Sequence, residues 1–215
     1  MAHILIINPN SSLACSAGIA AAVAPFRWPG GPSLEVATLE EGPPAIYSWR
    51  DWHGVVEPLC RRVESHPADA YVIACASDPG LAAVRGATAR PVFGAFRSAA
   101  AAAAARADRF GVVAIVDASK DRHLAALRDV GLEGRLAAEV ALNVTMEVLL
   151  EPDAARCRLV AAARATVEQG AKAVILGCTG MARHRAWVEK AVGVPVIEPC
   201  QAAVALALGV VLGTD

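Results

Sequence analysis

Cys75 and Cys178 are the residues whose chemistry and spacing stand out in this chain. Each ends a short apolar run and is followed by small polar residues, in the segments VIACASDPG and ILGCTGMA. A thiol beside a helix N-terminus loses its proton more readily than a free thiol, so each side chain is a candidate acid or base. Two thiols on opposite sides of a cleft can remove a proton from one face of a carbon and return one to the other face. The pair therefore predicts inversion of a carbon centre.

Small polar residues surround the two cysteines at the same predicted strand ends. Asn8 and Asn10 follow the first strand, and their amides can either donate to a substrate carbonyl or cap the local turn. Other residues can cap helices or offer backbone N–H groups to an enolate-like oxygen. These residues are Ser77, Asp78, Gly80, Thr179 and Gly180. Together with the two asparagines they form the predicted substrate-binding set.

The remaining cysteines and the histidines are predicted to have no part in catalysis. The cysteines without a counterpart in the other half of the chain are Cys15, Cys60, Cys157 and Cys200. They are expected to pack as small hydrophobic side chains, and a redox disulfide between Cys75 and Cys178 is an alternative use of that pair. His184 is expected to face solvent, and His53 is not placed. No cysteine or histidine spacing indicates a metal site, and no cofactor is predicted.

The elements that position these residues alternate between strands and helices. Short runs rich in β-branched residues predict strands at residues 3–8, 33–39, 70–76, 110–116, 172–178 and 194–198. Continuous apolar runs of this length, separated by helical stretches, are typical of a parallel sheet covered on both faces. Predicted helix starts lie at Ser11 and Ser12, at Asp78-Pro79 and at Thr179.

A weak internal repeat indicates two similar halves. HILIINPNSS has a counterpart in GVVAIVDASK, and the two cysteines are 103 residues apart (178 − 75). The predicted fold is α/β, with two pseudo-symmetric parallel-sheet lobes and the active site between them. The lobes comprise residues 1–96 and 97–198, joined around a helix from Arg97 to Arg106, and a helix at 199–215 is expected to pack back on the first lobe. One continuous doubly wound sheet is the alternative.

Composition excludes several classes of partner. The net charge is −1 and the 20 basic residues are scattered, so nucleic-acid binding is not expected. The segment MAHILIINPN lacks the features of a secretory signal, and the alanine-rich stretch at 99–105 is too short to span a membrane. The expectation is a cytoplasmic protein that binds a small-molecule substrate. The high hydrophobic content of 55% also favours a homo-oligomer.

Three ordered motifs resemble a known family. INPNSS at 7–12, ACASDPGL at 74–81 and LGCTGMA at 176–182 resemble signatures of the Asp/Glu/hydantoin racemase superfamily, and within it of the hydantoin and allantoin racemase branch. The resemblance implies two α/β lobes, an active site between them, and no metal or pyridoxal cofactor. It also implies catalysis by Cys75 and Cys178. The related decarboxylases keep only the second cysteine, so Cys75 argues against that activity.

The residues beside the cysteines narrow the expected substrate. Amino-acid racemases of the superfamily typically have CNT and CTH, whereas this chain has CAS and CTG. The difference favours a neutral ring as the substrate, with C5 of a 5-substituted hydantoin or of allantoin as the inverted carbon. Segment 197–203, however, lacks a glycine that is expected in hydantoin racemases. The alternatives are an aspartate/glutamate-type racemase, a maleate-isomerase-like enzyme, or a non-enzymatic two-lobed binding protein.

Overall fold

A computed structural model describes residues 1–213, apart from the side chains of residues 150 and 152–154. Within these residues the strands are β1 His3–Asn8, β2 Ser33–Thr38, β3 Ala70–Ile73, β4 Val92–Gly94, β5 Phe110–Ala114, β6 Leu136–Ala141, β7 Ala173–Gly177 and β8 Val196–Ile197. The α-helices are α1 Leu13–Val23, α2 Trp49–Gly54, α3 Val56–Ser65, α4 Leu81–Ala87, α5 Ala95–Ala104, α6 Lys120–Asp129, α7 Met146–Leu150, α8 Pro152–Glu168, α9 Arg185–Val192 and α10 Pro199–Leu212. Short 3-10 helices lie at Ala24–Phe26, Asp117–Ser119, Glu133–Arg135 and Thr179–His184.

The strands form two four-stranded parallel sheets with the same internal order. One sheet runs β2-β1-β3-β4 and the other β6-β5-β7-β8. Ile7 of β1 lies beside Ile73 of β3, and in the second sheet Ala114 of β5 lies beside Gly177 of β7. The predicted α/β class with two similar parallel-sheet lobes is confirmed, and the alternative of one continuous sheet is wrong.

Two strands, β4 and β6, were not predicted from the sequence. The strand β4 has only three residues, directly after Pro91, which is too short for a periodic pattern. The strand β6 reads LAAEVA, and alanine and glutamate are depleted in strands and favoured in helices. Each of the two is an edge strand, which the pairing with one neighbour holds in place.

Helix α5 fills the space between the two lobes. Ala99, Ala100 and Ala103 on this helix are fully buried, and they pack in a cluster with Phe110 and Ile175 of the second sheet. The same helix also packs against α10 and β4. Because alanine side chains are small, α5 can approach both neighbours closely, which explains the alanine-rich sequence at this position.

Helix α10 contributes to the core of the first lobe. Cys200, Ala203 and Val204 are fully buried in one cluster with Ile4 of β1 and Val72 of β3. The described helix ends at Leu212, and residues 214 and 215 of the predicted helix lie outside the described residues. The first sheet is thus covered on this face by a segment that follows the second lobe in sequence.

The caps at the helix starts agree only in part with the sequence prediction. Ser12 caps α1, because its hydroxyl accepts the backbone N–H of Cys15 at 3.3 Å. The prediction was wrong for Asp78, which caps α5 instead of the helix that follows it, and α4 begins after Gly80, whose φ is +64°. It was also wrong for Thr179, because Cys178 occupies the cap position of the 3-10 helix and its side chain makes no capping bond.

No helix among the described residues is both long and apolar enough to cross a membrane.

Candidate active site

A single cavity brings Cys75 and Cys178 together at the carboxyl ends of the two sheets. Cys75 comes two residues after β3, and Cys178 directly follows β7, the equivalent strand of the second sheet. Both cysteines line the cavity, together with Asn10, Ser77 and Thr179 of the predicted binding set. Carboxyl ends of parallel strands are the usual place for a ligand in α/β folds. The cavity is narrow, because the volume open to the centres of water molecules is only about 30 Å³.

The two thiols have matching backbone partners. The backbone N–H of Ser77 donates to the sulfur of Cys75, and the backbone N–H of Gly180 donates to the sulfur of Cys178. In each case the donor is two residues further along the chain. The Ser77 hydroxyl also lies 3.4 Å from the Cys75 sulfur. Hydrogen bonds of this kind stabilise a thiolate, so both cysteines have a local means of bearing negative charge.

Burial nevertheless raises the pKa of both thiols above the ordinary value for cysteine. For Cys75 the loss of solvent is the largest cause, and the Ser77 hydrogen bonds and the Arg122 charge partly oppose it. For Cys178 the loss of solvent again dominates over the Gly180 hydrogen bond. The expectation of a lowered thiol pKa was therefore wrong for this structure, because desolvation outweighs the helix-end and hydrogen-bonding effects.

Several residues of the predicted binding set support the site from outside the cavity lining. The Asn8 amide donates to Asn10 Oδ1, to the Ser12 carbonyl and to the Ser16 hydroxyl, so it builds the turn before α1. Asp78 accepts the backbone N–H groups of Phe96 and Arg97 at 2.7 and 2.9 Å and also pairs with the Arg97 side chain. Both side chains make these internal contacts and neither lines the cavity, so their role as substrate ligands stays a prediction.

The two glycines of the predicted set also have structural reasons for being glycine. Gly80 adopts a left-handed conformation, and a side chain there would approach Val56 at 3.1 Å. A side chain at Gly180 would come within 2.8 Å of the Met146 sulfur. Gly180 therefore lets Met146 pack closely while its N–H group serves Cys178. Neither glycine lines the cavity.

Asn10 is the asparagine that faces the cavity. Its Oδ1 accepts from Asn8 Nδ2 and from the Ser12 N–H at 2.9 Å. Its Nδ2 group makes no hydrogen bond within the part of the chain that the structure describes, and it is therefore free to donate to a ligand.

The cavity also contains residues that sequence reasoning missed. Tyr47 lies in the loop between β2 and α2, and its Oη accepts the backbone N–H of Met146 at 2.7 Å. Its backbone carbonyl accepts from Nη2 of Arg122 at 3.3 Å. This loop of the first lobe is thus held against two residues of the second lobe. No motif marks the loop, since its contacts connect residues that are 75 and 99 positions apart.

Arg122 is a buried cation in the cavity wall. Its exposed fraction is 2%, and Nη2 bonds to Tyr47 and to the Ser119 hydroxyl. Its Nε and Nη1 atoms have no hydrogen-bond partner among the described residues. An unpaired buried guanidinium is costly, so these donors are available to an anion or a carbonyl oxygen bound in the cavity. The sequence signal is weak, because Arg122 occurs in a charged segment that reads as an exposed helix face.

A further wall of the cavity is formed by His123, which directly follows Arg122 on α6. Its Nδ1 lies 2.5 Å from Oε1 of Glu139 on β6, and both side chains are almost completely buried. The pair was missed because Glu139 stands in a strand that was not predicted.

The remaining cysteines and His184 depart in part from prediction. Cys15 and Cys200 are buried and Cys60 is half-buried, whereas Cys157 is exposed on α8, so its predicted packing in the core was wrong. His184 was predicted to face solvent, but it is 2% exposed, with Nε2 3.4 Å from the Leu149 carbonyl. His184 does not line the cavity.

No group of histidine, cysteine and acidic side chains among the described residues is arranged to hold a metal ion. The chemistry that the cavity can support with its own residues is proton transfer by two thiols, with hydrogen bonds from Asn10 and Arg122 to an oxygen of the ligand.

Comparison with known proteins agrees with this geometry. The family model described as Asp/Glu/Hydantoin racemase matches residues 4–207. The hydantoin racemase of Paenarthrobacter aurescens is 34% identical, over 94% of this chain and 87% of that protein. The allantoin racemase of Klebsiella pneumoniae has a TM-score of 0.90 and 29% identity, over 99% of this chain and 89% of that one. The allantoin racemase of Pseudomonas fluorescens has a TM-score of 0.92 and 27% identity, over 98% of this chain and 92% of that one. The chain belongs to the Asp/Glu/hydantoin racemase family.

Proposed function

We propose that this protein is a cofactor-independent racemase that inverts an acidic carbon next to a carbonyl group, with C5 of a 5-substituted hydantoin or of allantoin as its substrate carbon. The observation that carries the proposal is the placement of Cys75 and Cys178 at equivalent strand ends on one cavity. Relatives named hydantoin racemase and structural neighbours named allantoin racemase support this choice of substrate.

The proposed mechanism uses each thiol on one face of the substrate. One cysteine, as thiolate, takes the C5 proton, and the electron pair moves onto the adjacent carbonyl oxygen as an enolate. The other cysteine, as thiol, then gives its proton to the opposite face of C5 and is left as thiolate. The proton count is unchanged, and the opposite enantiomer reacts with the roles exchanged.

The enolate oxygen needs donors in the cavity. Asn10 Nδ2 and the free Nε and Nη1 atoms of Arg122 are the groups that we assign to this oxygen. A positive charge beside a developing negative charge in a buried site lowers the barrier more than it would in water. Arg122 also favours the thiolate of Cys75, which burial otherwise disfavours.

Purified protein can be tested on both enantiomers of a 5-benzylhydantoin, allantoin, aspartate and glutamate, with optical rotation followed over time. We expect decay of rotation with the ring substrates. Turnover of the amino acids alone would show that the substrate is an amino acid and not a ring compound. No turnover with any compound would contradict the racemase proposal.

Cysteine variants in deuterated water test the two-thiol mechanism. We expect Cys75→Ser and Cys178→Ser to stop inversion, while each leaves slow deuterium exchange of a different enantiomer, because serine is too weak an acid or base to replace the thiol. Cys157→Ser changes an exposed cysteine outside the cavity and serves as the control that retains activity. Exchange of the same enantiomer by both variants would exclude one thiol on each face.

This mechanism requires reduced thiols, and all the cysteines are free. We therefore propose a reducing compartment, the cytoplasm, as the site of action. A fluorescent fusion followed by fractionation would test this location.

We also propose that the protein forms a homo-oligomer through α10. Leu206, Val210 and Leu212 on this helix are 45%, 39% and 51% exposed, which is unusual for large apolar side chains on one helix. Light scattering of the wild type and of Leu206→Glu would test this: a monomeric wild type contradicts the proposal, and dissociation of the variant supports it.

A further inference from the structure

The strongest observation not used by the proposed mechanism is the buried pair of His123 and Glu139. His123 is 1% exposed and its Nδ1 lies 2.5 Å from the Glu139 carboxylate, whose side chain is 6% exposed. Glu139 is the only charged residue of β6. Burial of two ionisable groups costs free energy that apolar residues of similar size would not cost. The pair is therefore difficult to explain by packing alone.

The His123 ring is held firmly in one orientation. One face stacks on Phe96, with ring centroids 4.4 Å apart and planes inclined by 17°. Toward β7, a side chain at Gly177 would meet the Val113 carbonyl oxygen at 2.7 Å and Cε1 of the ring at 3.1 Å, so glycine there leaves room for the ring as well as for the neighbouring strand. The imidazole and the Cys178 thiol line the same cavity.

The hydrogen bond to Glu139 fixes which nitrogen carries the proton. A carboxylate only accepts, so Nδ1 must donate, and in the neutral ring Nε2 is left as an acceptor. Within the described residues Nε2 has no hydrogen-bond partner, and His123 lines the cavity. With a neutral ring, the wall of the cavity that Cys178 also lines therefore presents a hydrogen-bond acceptor.

We propose that His123, oriented by Glu139, is a specificity-determining residue that accepts a hydrogen bond from an N–H group on the carbon that is inverted. In a hydantoin this group is N1–H, which is bonded directly to C5. The site thus combines donors for the carbonyl oxygen, from Asn10 and Arg122, with an acceptor for the neighbouring N–H. This inference rests on the proposed racemase function and specifies which substrates the site accepts.

The test compares a 5-benzylhydantoin with the matching 5-benzyl oxazolidine-2,4-dione, in which a ring oxygen replaces N1–H with little change of shape. For the wild type we expect kcat/KM for the oxazolidinedione to be lower by about tenfold or more, because two acceptors would then face each other. Equal kcat/KM for the two compounds would overturn the inference while leaving the racemase proposal intact. Absence of turnover with either compound would contradict the racemase proposal itself.

The double variant His123→Phe/Glu139→Leu removes both polar partners and keeps an aromatic ring against Phe96, so that no buried charge is left unpaired. We expect its ratio of kcat/KM between the two compounds to fall to within about threefold of unity. The control is His184→Phe, which removes a buried histidine outside the cavity and should retain the wild-type ratio. A double variant that turns over and keeps the wild-type ratio would overturn the inference. If the double variant does not fold, the single variant Glu139→Leu is used, in which Nδ1 of His123 is no longer held as the donor. The ratio of kcat/KM between hydantoin and oxazolidinedione must then fall for the inference to stand.

Discussion

Tyr47 and Met146 are joined by a hydrogen bond of 2.7 Å between Oη and the backbone N–H, and this bond connects the two lobes at the cavity. Tyr47 stands in a loop of the first lobe, and Met146 begins α7 of the second. Because both residues line the cavity, the bond holds one wall against the other. The loop position and the shape of the cavity are thereby coupled.

Removal of the Tyr47 hydroxyl should loosen this wall. We expect Tyr47→Phe to raise KM by about three- to tenfold and to lower the free energy of unfolding by about 1 kcal/mol, the usual net worth of one hydrogen bond. Steady-state kinetics and urea unfolding measure the two effects. Tyr71→Phe is the matched control, because Tyr71 Oη bonds to Ala68 and Val63 in the core of the first lobe. Tyr71→Phe should lose at least as much stability with unchanged KM, and a parallel rise in KM would contradict the local explanation.

The rate of inversion should increase with pH in the alkaline range. Burial raises the pKa of Cys75 and Cys178, so both are protonated at neutral pH and the thiolate that acts as base is gained as the pH rises. Arg122 opposes this shift at Cys75. We expect Arg122→Met to move the ascending limb of kcat/KM to higher pH by about one unit, and Arg122→Lys to move it less. If the ascending limb of kcat/KM against pH is the same in Arg122→Met as in the wild type, the guanidinium does not act on the thiol.

Asp78 should be important for stability through its contacts with α5. Its carboxylate is fully buried and accepts three hydrogen bonds from Phe96 and Arg97. We expect Asp78→Ala to lower the free energy of unfolding by about 2 kcal/mol or more. Asp117→Ala is the control, because Asp117 is exposed and solvent screens its ion pair with Lys120, so its removal should change the free energy of unfolding much less. Equal losses in the two variants would contradict this account.

Glu198 should make the protein less stable as the pH rises through neutrality. Burial raises its pKa from 4.5 to about 7, and Oε1 has no hydrogen-bond partner among the described residues. The folded state therefore favours the protonated acid: the contribution is full below pH 4.5 and is lost as the pH rises to 7. We expect Glu198→Gln, which resembles the neutral acid, to unfold with a free energy roughly 3 kcal/mol higher than the wild type at pH 8.

The comparison at acidic pH provides the control for Glu198. Near pH 4 the two proteins should have similar stability, since Glu198 is then protonated when folded. Urea unfolding from pH 4 to 8 measures the difference. A difference that does not change with pH would mean that ionisation of Glu198 is not its source.

Six of the eight strands and the two cysteines were predictable because their signals are local. Apolar runs such as HILIIN and FGVVA form β1 and β5, and the repeated placement of a cysteine after β3 and β7 reflects the repeated topology. A pattern of this kind depends only on neighbouring residues. It therefore identified the carboxyl ends of the sheets and the pair at the cavity.

The rest of the site depends on contacts between distant segments. Tyr47, Arg122 and His123 acquire their positions from packing across the two lobes, and their own sequence neighbours carry no sign of it. The role of Asp78 was misassigned for the same reason, because the helix it caps begins 17 residues later, at Ala95 (95 − 78). The direction of the thiol pKa shifts also required the structure, since desolvation is a property of the folded surroundings.

The position of α10 on the first sheet constrains the order in which the protein can fold during synthesis. Ile4 and Val72 are covered on this face by Cys200, Ala203 and Val204, which the ribosome adds after the whole second lobe. A nascent chain that stops before residue 199 therefore exposes an apolar sheet face, and it offers a binding surface to chaperones until the last helix emerges. The second sheet contains all its strands by Ile197, so the half that is translated later can complete its sheet before the half that is translated first can close its core.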